Sequence, residues 1–112
     1  MVYLGELAIK LYRAVSEAEL ADILSYGMFR PCPSGCSMEG KWFAESLENA
    51  LEWGKRFYAS NKFHVVIATV SLEVVAKMYP REENLDGIGK AIWADEEILD
   101  QIKPLEILSV SR

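Results

Sequence analysis

Residues 63–72 read Phe-His-Val-Val-Ile-Ala-Thr-Val-Ser-Leu. The run is dense in β-branched side chains (Val65, Val66, Ile67, Thr69, Val70), which are stiff at χ1 and fit a pleated sheet better than a helix. It predicts a central strand, and a central strand needs a neighbour on each edge. The rest of the chain must supply those neighbours and the layers that cover them.

Residues 9–15 alternate well enough for a first strand. Ser16-Glu17-Ala18-Glu19 follows as a capping box: the Ser16 hydroxyl caps the first turn while Glu19 reaches back to it. Leu20, Ile23 and Leu24 form the buried stripe of a short helix, and Gly27 ends it. Residues 30–40 hold two prolines, two glycines and both cysteines, and read as a loop. A short strand over 41–45 runs straight into a helix capped by Ser46. The apolar face of that helix is Leu47, Ala50, Leu51, Gly54, Phe57 and Tyr58, with Trp53 just off it. Ser71 caps a brief helix through Met78, which Tyr79-Pro80 ends, and residues 80–90 carry enough turn signals for a long loop. Residues 91–99 and 105–110 supply two last strands around the Lys103-Pro104 break.

The order β-α-β-α-β-(α)-β-β places helices early and strands late. That predicts an α+β fold with a mostly antiparallel sheet, in a single domain over 1–112. Apolar residues make up 51% and charged residues 26%, which is a globular balance. A net charge of −5 argues against broad binding to nucleic acid or an anionic membrane, since either needs a basic face. There is no basic segment followed by an apolar run, and no apolar stretch approaches the ~18 residues of a spanning helix. The expectation is a cytoplasmic protein without a membrane role.

Several familiar chemistries are excluded by what the chain lacks. It has no phosphate-cradling glycine loop, zinc-helix motif or serine elbow. Cys32 and Cys36 make half a zinc site at most, and His64 is the sole histidine, so free thiols, a strand histidine and no metal are expected. Carboxylates, Arg13 and aromatics remain. Arg13 lies mid-strand, where it either pairs with an acid such as Glu45 or Glu97 or holds an anionic ligand through its planar fork. Asp95-Glu96-Glu97 falls where a strand begins; an acidic triplet there is ordinarily a solvated strand edge, but the flanking Trp93 and Ile98 favour at least one inward-facing carboxylate. In Gly40-Lys41-Trp42-Phe43-Ala44-Glu45, Trp42 and Phe43 must face opposite sides of a sheet, so one ring anchors a core while the other walls a cleft. An indole is a good wall for a planar, partly cationic ring.

Leu11-Tyr12-Arg13-Ala14, then Ile23-Leu24-Ser25-Tyr26-Gly27-Met28, then Gly40-Lys41-Trp42-Phe43-Ala44-Glu45 resemble, in order, the poly(ADP-ribose) polymerase catalytic core. That family reads Leu-Trp-His-Gly, Ile-Leu-x-x-Gly-Leu and Gly-x-x-Tyr-Phe-Ala-Asp. Glu96-Glu97-Ile98-Leu99 resembles its Glu-Tyr-Ile-Val strand, and also the Glu-x-Glu-Val-Leu element of bacterial mono-ADP-ribosylating toxins. The resemblance implies the ADP-ribosyltransferase fold, a split β-sandwich binding NAD as substrate in a cleft between its halves, with no metal. By position, Tyr12, Arg13 and Ala14 would contact the nicotinamide ribose and amide. Trp42 takes the place of the family tyrosine, Trp53 that of a second stacking aromatic, and Glu96 or Glu97 that of the catalytic carboxylate. Arg13 is the toxin-type residue where the polymerases have histidine, which points to mono-ADP-ribosylation and favours Glu97. Ala14 replaces a glycine, and Ala50 replaces a serine that hydrogen-bonds the nicotinamide amide.

What the resemblance implies is an NAD-dependent mono-ADP-ribosyltransferase, an intracellular toxin or modifier. Its acceptor would sooner be protein than nucleic acid, and its toxin side adds an antitoxin or immunity protein as a candidate partner. Cleavage of the nicotinamide–ribose bond builds oxocarbenium character, which a facing carboxylate stabilises. A non-catalytic interaction domain keeping the same fold is the rival, because fold does not fix function. An unrelated α+β binding module with both tryptophans in its core is the third reading.

Overall fold

The computed structural model describes residues 7–31, 40–58 and 62–110. Cys32 and Cys36, and whatever their thiols do, lie outside the described residues. Among the described residues six strands and three α-helices follow one another as β1 (Ala8–Val15), α1 (Glu17–Tyr26), β2 (Lys41–Ala44), α2 (Leu47–Tyr58), β3 (Phe63–Ser71), α3 (Leu72–Lys77), β4 (Arg81–Leu85), β5 (Gly89–Ala94) and β6 (Lys103–Val110), with a 3-10 turn over Leu99–Gln101 before β6. The strands form one antiparallel sheet in the order β4-β5-β2-β1-β3-β6. The protein is therefore α+β around a six-stranded antiparallel sheet.

β3 is the predicted central strand, flanked by β1 and β6. Its alternation feeds two cores. Val66, Ala68 and Val70 join Leu11, Val15, Ile23 and Phe43 on the face covered by α1 and α3. Phe63 and Val65 join Ala44, Ala50 and Trp53 on the face covered by α2. Trp42 and Phe43 divide as the pleat requires. Phe43 is buried edge-to-face against Phe29 at 5.0 Å, while Trp42 packs toward the α2 core.

The caps form where the sequence puts them. Ser16 Oγ accepts from the Glu19 N–H at 3.1 Å, Ser46 Oγ from Asn49 N–H at 3.2 Å and Ser71 Oγ from Val74 N–H at 3.2 Å. Gly27 ends α1 in the left-handed region, with φ of 69°. Within the helices the stripes are narrower than the periodicity predicts. Leu24 is exposed, and on α2 the buried residues are Ala50, Trp53 and Gly54 while Phe57 is exposed at the rim, so the buried face is rotated toward Trp53. Gly54 fixes that rotation: a Cβ there would run into the Phe63 ring, so a glycine lets α2 sit directly on β3.

The C-terminal third departs most from expectation. Residues 80–90 are a hairpin rather than a loop. Asp86 and Gly87 both have positive φ (57° and 73°), Ile88 N–H donates to Leu85 C=O at 3.0 Å, and Leu85 pairs with Gly89 across the turn. β5 consequently ends at Ala94, and residues 96–98 are a turn closed by Ile98 N–H on Asp95 C=O at 2.9 Å. Glu96 and Glu97 thus stand exposed in a turn and not on a strand. β6 begins at Lys103 and includes Pro104, which an edge strand tolerates and which lies beside the register shift at Ile67/Ala68.

One junction in the sheet is unlike the rest. β1 pairs with β3 along its whole length, from Ala8↔Ser71 to Val15↔His64, and β2 with β5 from Lys41↔Ala94 to Ala44↔Ala91. β1 meets β2 only at Tyr12↔Ala44. The sheet opens beyond that point into a seam between its two halves.

Candidate functional site

The seam is where Arg13 goes. Its Nε and Nη2 donate to the two carboxylate oxygens of Glu19, at 2.7 and 3.1 Å, and its Nη1 donates to the Trp42 carbonyl at 2.9 Å. A side chain from β1 therefore satisfies a β2 backbone carbonyl at the edge of the seam. The acid partner is Glu19 of α1, not Glu45 or Glu97. Glu19 does not reach back to its own cap, because both oxygens are taken by Arg13. Lys41 Nζ also lies 3.4 Å from Glu19 Oε2, so two cations share one carboxylate in a largely buried cluster. Burial alone would raise the Glu19 carboxyl, but Arg13 and Lys41 overcome it and hold it below the ordinary carboxylate range. Lys41 is pushed down by burial and by Arg13, which together outweigh the pull of Glu19.

On the α2 side of the seam lies a cavity of about 260 Å³. β1 contributes Tyr12, Arg13 and Ala14, and β2 contributes Trp42, Phe43 and Ala44. The α2 helix closes it with Ala50, Trp53, Phe57 and Tyr58, and the β4–β5 hairpin adds Leu85, Asp86 and Ala91. Tyr12, Trp42, Trp53, Phe57 and Tyr58 make its walls predominantly aromatic. Burial raises the Tyr58 phenol above its usual value, with Arg13 opposing and Glu19 adding to the effect. Tyr58 therefore stays a neutral phenol at neutral pH.

The walls are held from behind. Trp42 packs edge-to-face on Trp93, its β5 partner, with centroids 5.3 Å apart, and the Trp93 indole N–H donates to Asp95 at 2.6 Å. Tyr58 stacks on buried Phe63 at 5.9 Å. The Trp53 indole N–H donates to Asp86 Oδ2 at 3.0 Å, and Arg56 Nη1 donates to the Asp86 carbonyl at 3.0 Å, so α2 grips the hairpin tip. Trp53 is buried at 7% exposure yet borders the cavity, while Trp42 is half-buried.

All five nominated binding residues, Tyr12, Arg13, Ala14, Trp42 and Trp53, border this one cavity. Ala50 does too. Glu96 and Glu97 do not: the cavity takes Ala91 from the first half of β5, whereas they follow its far end. The carboxylate that does border the cavity, Asp86, was missed in the sequence, although its Asp-Gly step is a strong signal for a two-residue hairpin.

Elsewhere, His64 is buried with both ring nitrogens engaged, Nδ1 with Ser109 Oγ at 2.8 Å and Nε2 with Glu17 Oε1 at 2.7 Å. That bond to His64 is the main cause holding the Glu17 carboxyl below its ordinary value. Among the described residues no group of histidine, cysteine and carboxylate side chains is arranged to hold a metal, and no helix is long and apolar enough to cross a membrane. No protein family, curated protein or solved structure matches this chain.

Proposed function

We propose that this chain is an NAD-dependent mono-ADP-ribosyltransferase of the split-sandwich type, with the aromatic cavity taking the nicotinamide end of NAD. The observation that carries the reading is convergence. Residues nominated from three separate segments, at 12–14, 42 and 53, border one cavity at the point where the sheet opens. A shared cavity is not a consequence of their sequence spacing.

Size and charge support the same ligand. About 260 Å³ falls below the roughly 300–1,000 Å³ of drug-sized sites, so it suits a nicotinamide and its ribose, with the remainder of the dinucleotide outside. Aromatic faces attract the pyridinium cation. Beneath the seam, two cations against one carboxylate leave excess positive charge. Three of the five Arg13 N–H donors are engaged, and the others have no partner among the described residues, which suits a ribose hydroxyl or phosphate oxygen.

The position of Glu96 and Glu97 favours a second reading, a domain that binds the nucleotide without turning it over. One pair of measurements separates the two. Titration with NAD is expected to quench tryptophan fluorescence through Trp42 and Trp53, and release of labelled nicotinamide reports turnover. Binding without release supports the second reading. No quench, and no heat by calorimetry, refutes both.

A further inference from the structure

We infer that Asp86, at the tip of the β4–β5 hairpin, is the catalytic carboxylate of this cavity. The inference rests on the nicotinamide reading above and assigns a residue that the motif resemblance does not. Among the described residues that border the cavity, Asp86 is the only acid. Glu19 cannot serve, since both of its oxygens are held by Arg13 beneath the seam. Glu96 and Glu97 lie in a turn beyond the far end of β5 and do not border the cavity; Asp86 is also an exposed turn residue, but it does border it.

Asp86 is also built into place. Its Oδ2 accepts from Trp53 Nε1 at 3.0 Å, and Trp53 is one of the cavity walls. Its backbone sits in the left-handed region, φ 57°, and its carbonyl is held by Arg56. Asx residues tolerate that conformation best among residues with a Cβ. Oδ1 has no donor among the described residues. The result is a carboxylate with one oxygen anchored and one free, beside aromatic faces that suit a cationic ring. A fixed negative charge of this kind favours oxidised NAD, whose ring is a planar cation, over NADH, whose ring is neutral.

In the reaction the C1′–N bond breaks and its electron pair passes to the pyridinium nitrogen, which leaves as neutral nicotinamide. The positive charge moves to the ribose as an oxocarbenium, which the Asp86 carboxylate faces and stabilises. The incoming nucleophile, water or a nucleophilic group of the acceptor protein, forms the new bond at C1′. Its proton passes to Asp86 and then to solvent.

Asp86→Asn tests this directly. Asn accepts the left-handed turn and keeps an oxygen for the Trp53 N–H, so the change removes charge while preserving shape. Wild type and variant are compared for nicotinamide release and for fluorescence titration with NAD, NADH and free nicotinamide. The expected result is a fall in release on the order of 100-fold. Nicotinamide binding should stay at the wild-type level, and about tenfold of preference for NAD over NADH should be lost. Release that survives in Asp86→Asn and is lost in Glu97→Gln or Glu96→Gln overturns the inference and leaves the cavity reading intact. Wild type that binds NAD but releases no nicotinamide also overturns it, again sparing the binding reading. If wild type binds neither NAD nor nicotinamide, both readings fall.

Discussion

Glu19→Gln is expected to destabilise the protein substantially although it alters no apolar side chain. Glu19 accepts two charge-assisted hydrogen bonds from Arg13 and lies 3.4 Å from Lys41. Gln keeps one acceptor and no charge, so two cations are left in a low-dielectric site with nothing to balance them. Breaking a fully buried pair from one side costs about 3–5 kcal/mol. The Arg13 and Glu19 side chains retain 21% and 19% exposure, so water recovers part of that, leaving ~2–4 kcal/mol. With a urea slope of about 2 kcal/mol/M, the unfolding midpoint at pH 7 should fall by ~1–2 M.

The pH dependence gives a second, independent readout. The Glu19 carboxyl is held below its ordinary value in the folded protein, against an unfolded value of about 4.3. Its contribution is therefore complete above the unfolded value and is lost as pH falls through the folded one. Gln has no such proton to bind, so the gap between wild type and variant should narrow on acidification below about pH 4. Glu17 and Asp22, whose carboxyls are also lowered, are common to both proteins and cancel in the comparison. A midpoint within about 0.2 M of wild type at pH 7, or a gap that stays constant down to about pH 2.5, would refute this account of the cluster.

Two further substitutions probe the scaffold. Gly54→Ala should destabilise by ~1–3 kcal/mol even though alanine favours helix, because its Cβ meets the buried Phe63 ring; thermal melting checks this. Phe63 also supports Tyr58, so the same variant should bind NAD more weakly, and an unchanged affinity would show that this wall is not set by helix–strand packing. Gly87→Ala meets no atom within 4 Å, so its expected loss of ~1 kcal/mol in urea unfolding comes from φ of 73° alone. Stability equal to wild type would mean that the hairpin turn had moved.

Much of the first two thirds is legible because it is written in apolar periodicity and caps. β3 announces itself by β-branched density, and Ser16, Ser46 and Ser71 each cap the helix they precede. β4 is not legible, because Arg81-Glu82-Glu83-Asn84 has no apolar alternation. As an edge strand exposed along most of its length, it is fixed by backbone pairing to β5 and by its Asp-Gly turn, and charge on such an edge discourages further pairing. Missing that hairpin displaces everything after it. Ile98 and Leu99 look like strand residues, yet Leu99 reaches the core from a 3-10 turn, and this leaves Glu96 and Glu97 in solvent. Trp42 was legible because adjacent rings on a strand must part company, whereas Tyr12 and Trp53 were nominated through the motif resemblance and Phe57 and Tyr58 were read only as the packed face of α2. The place of Asp86 at the cavity was not legible, because the Trp53–Asp86 contact spans 33 residues and exists only once α2 and the hairpin have met.

The single Tyr12↔Ala44 pairing between β1 and β2 has a mechanical consequence. Elsewhere in the sheet neighbouring strands are joined by ladders whose stiffness comes from many short, directional bonds. Across the mouth of the cavity that stiffness is delegated to one guanidinium, clamped between a carboxylate and a carbonyl. The gap between the two walls thus has its own spring, softened by acid through Glu19 while the ladders on either side stay taut. A ligand that widens the gap works against this guanidinium clamp, so substitutions at Glu19, Arg13 or Lys41 should change cleft opening and folding stability together.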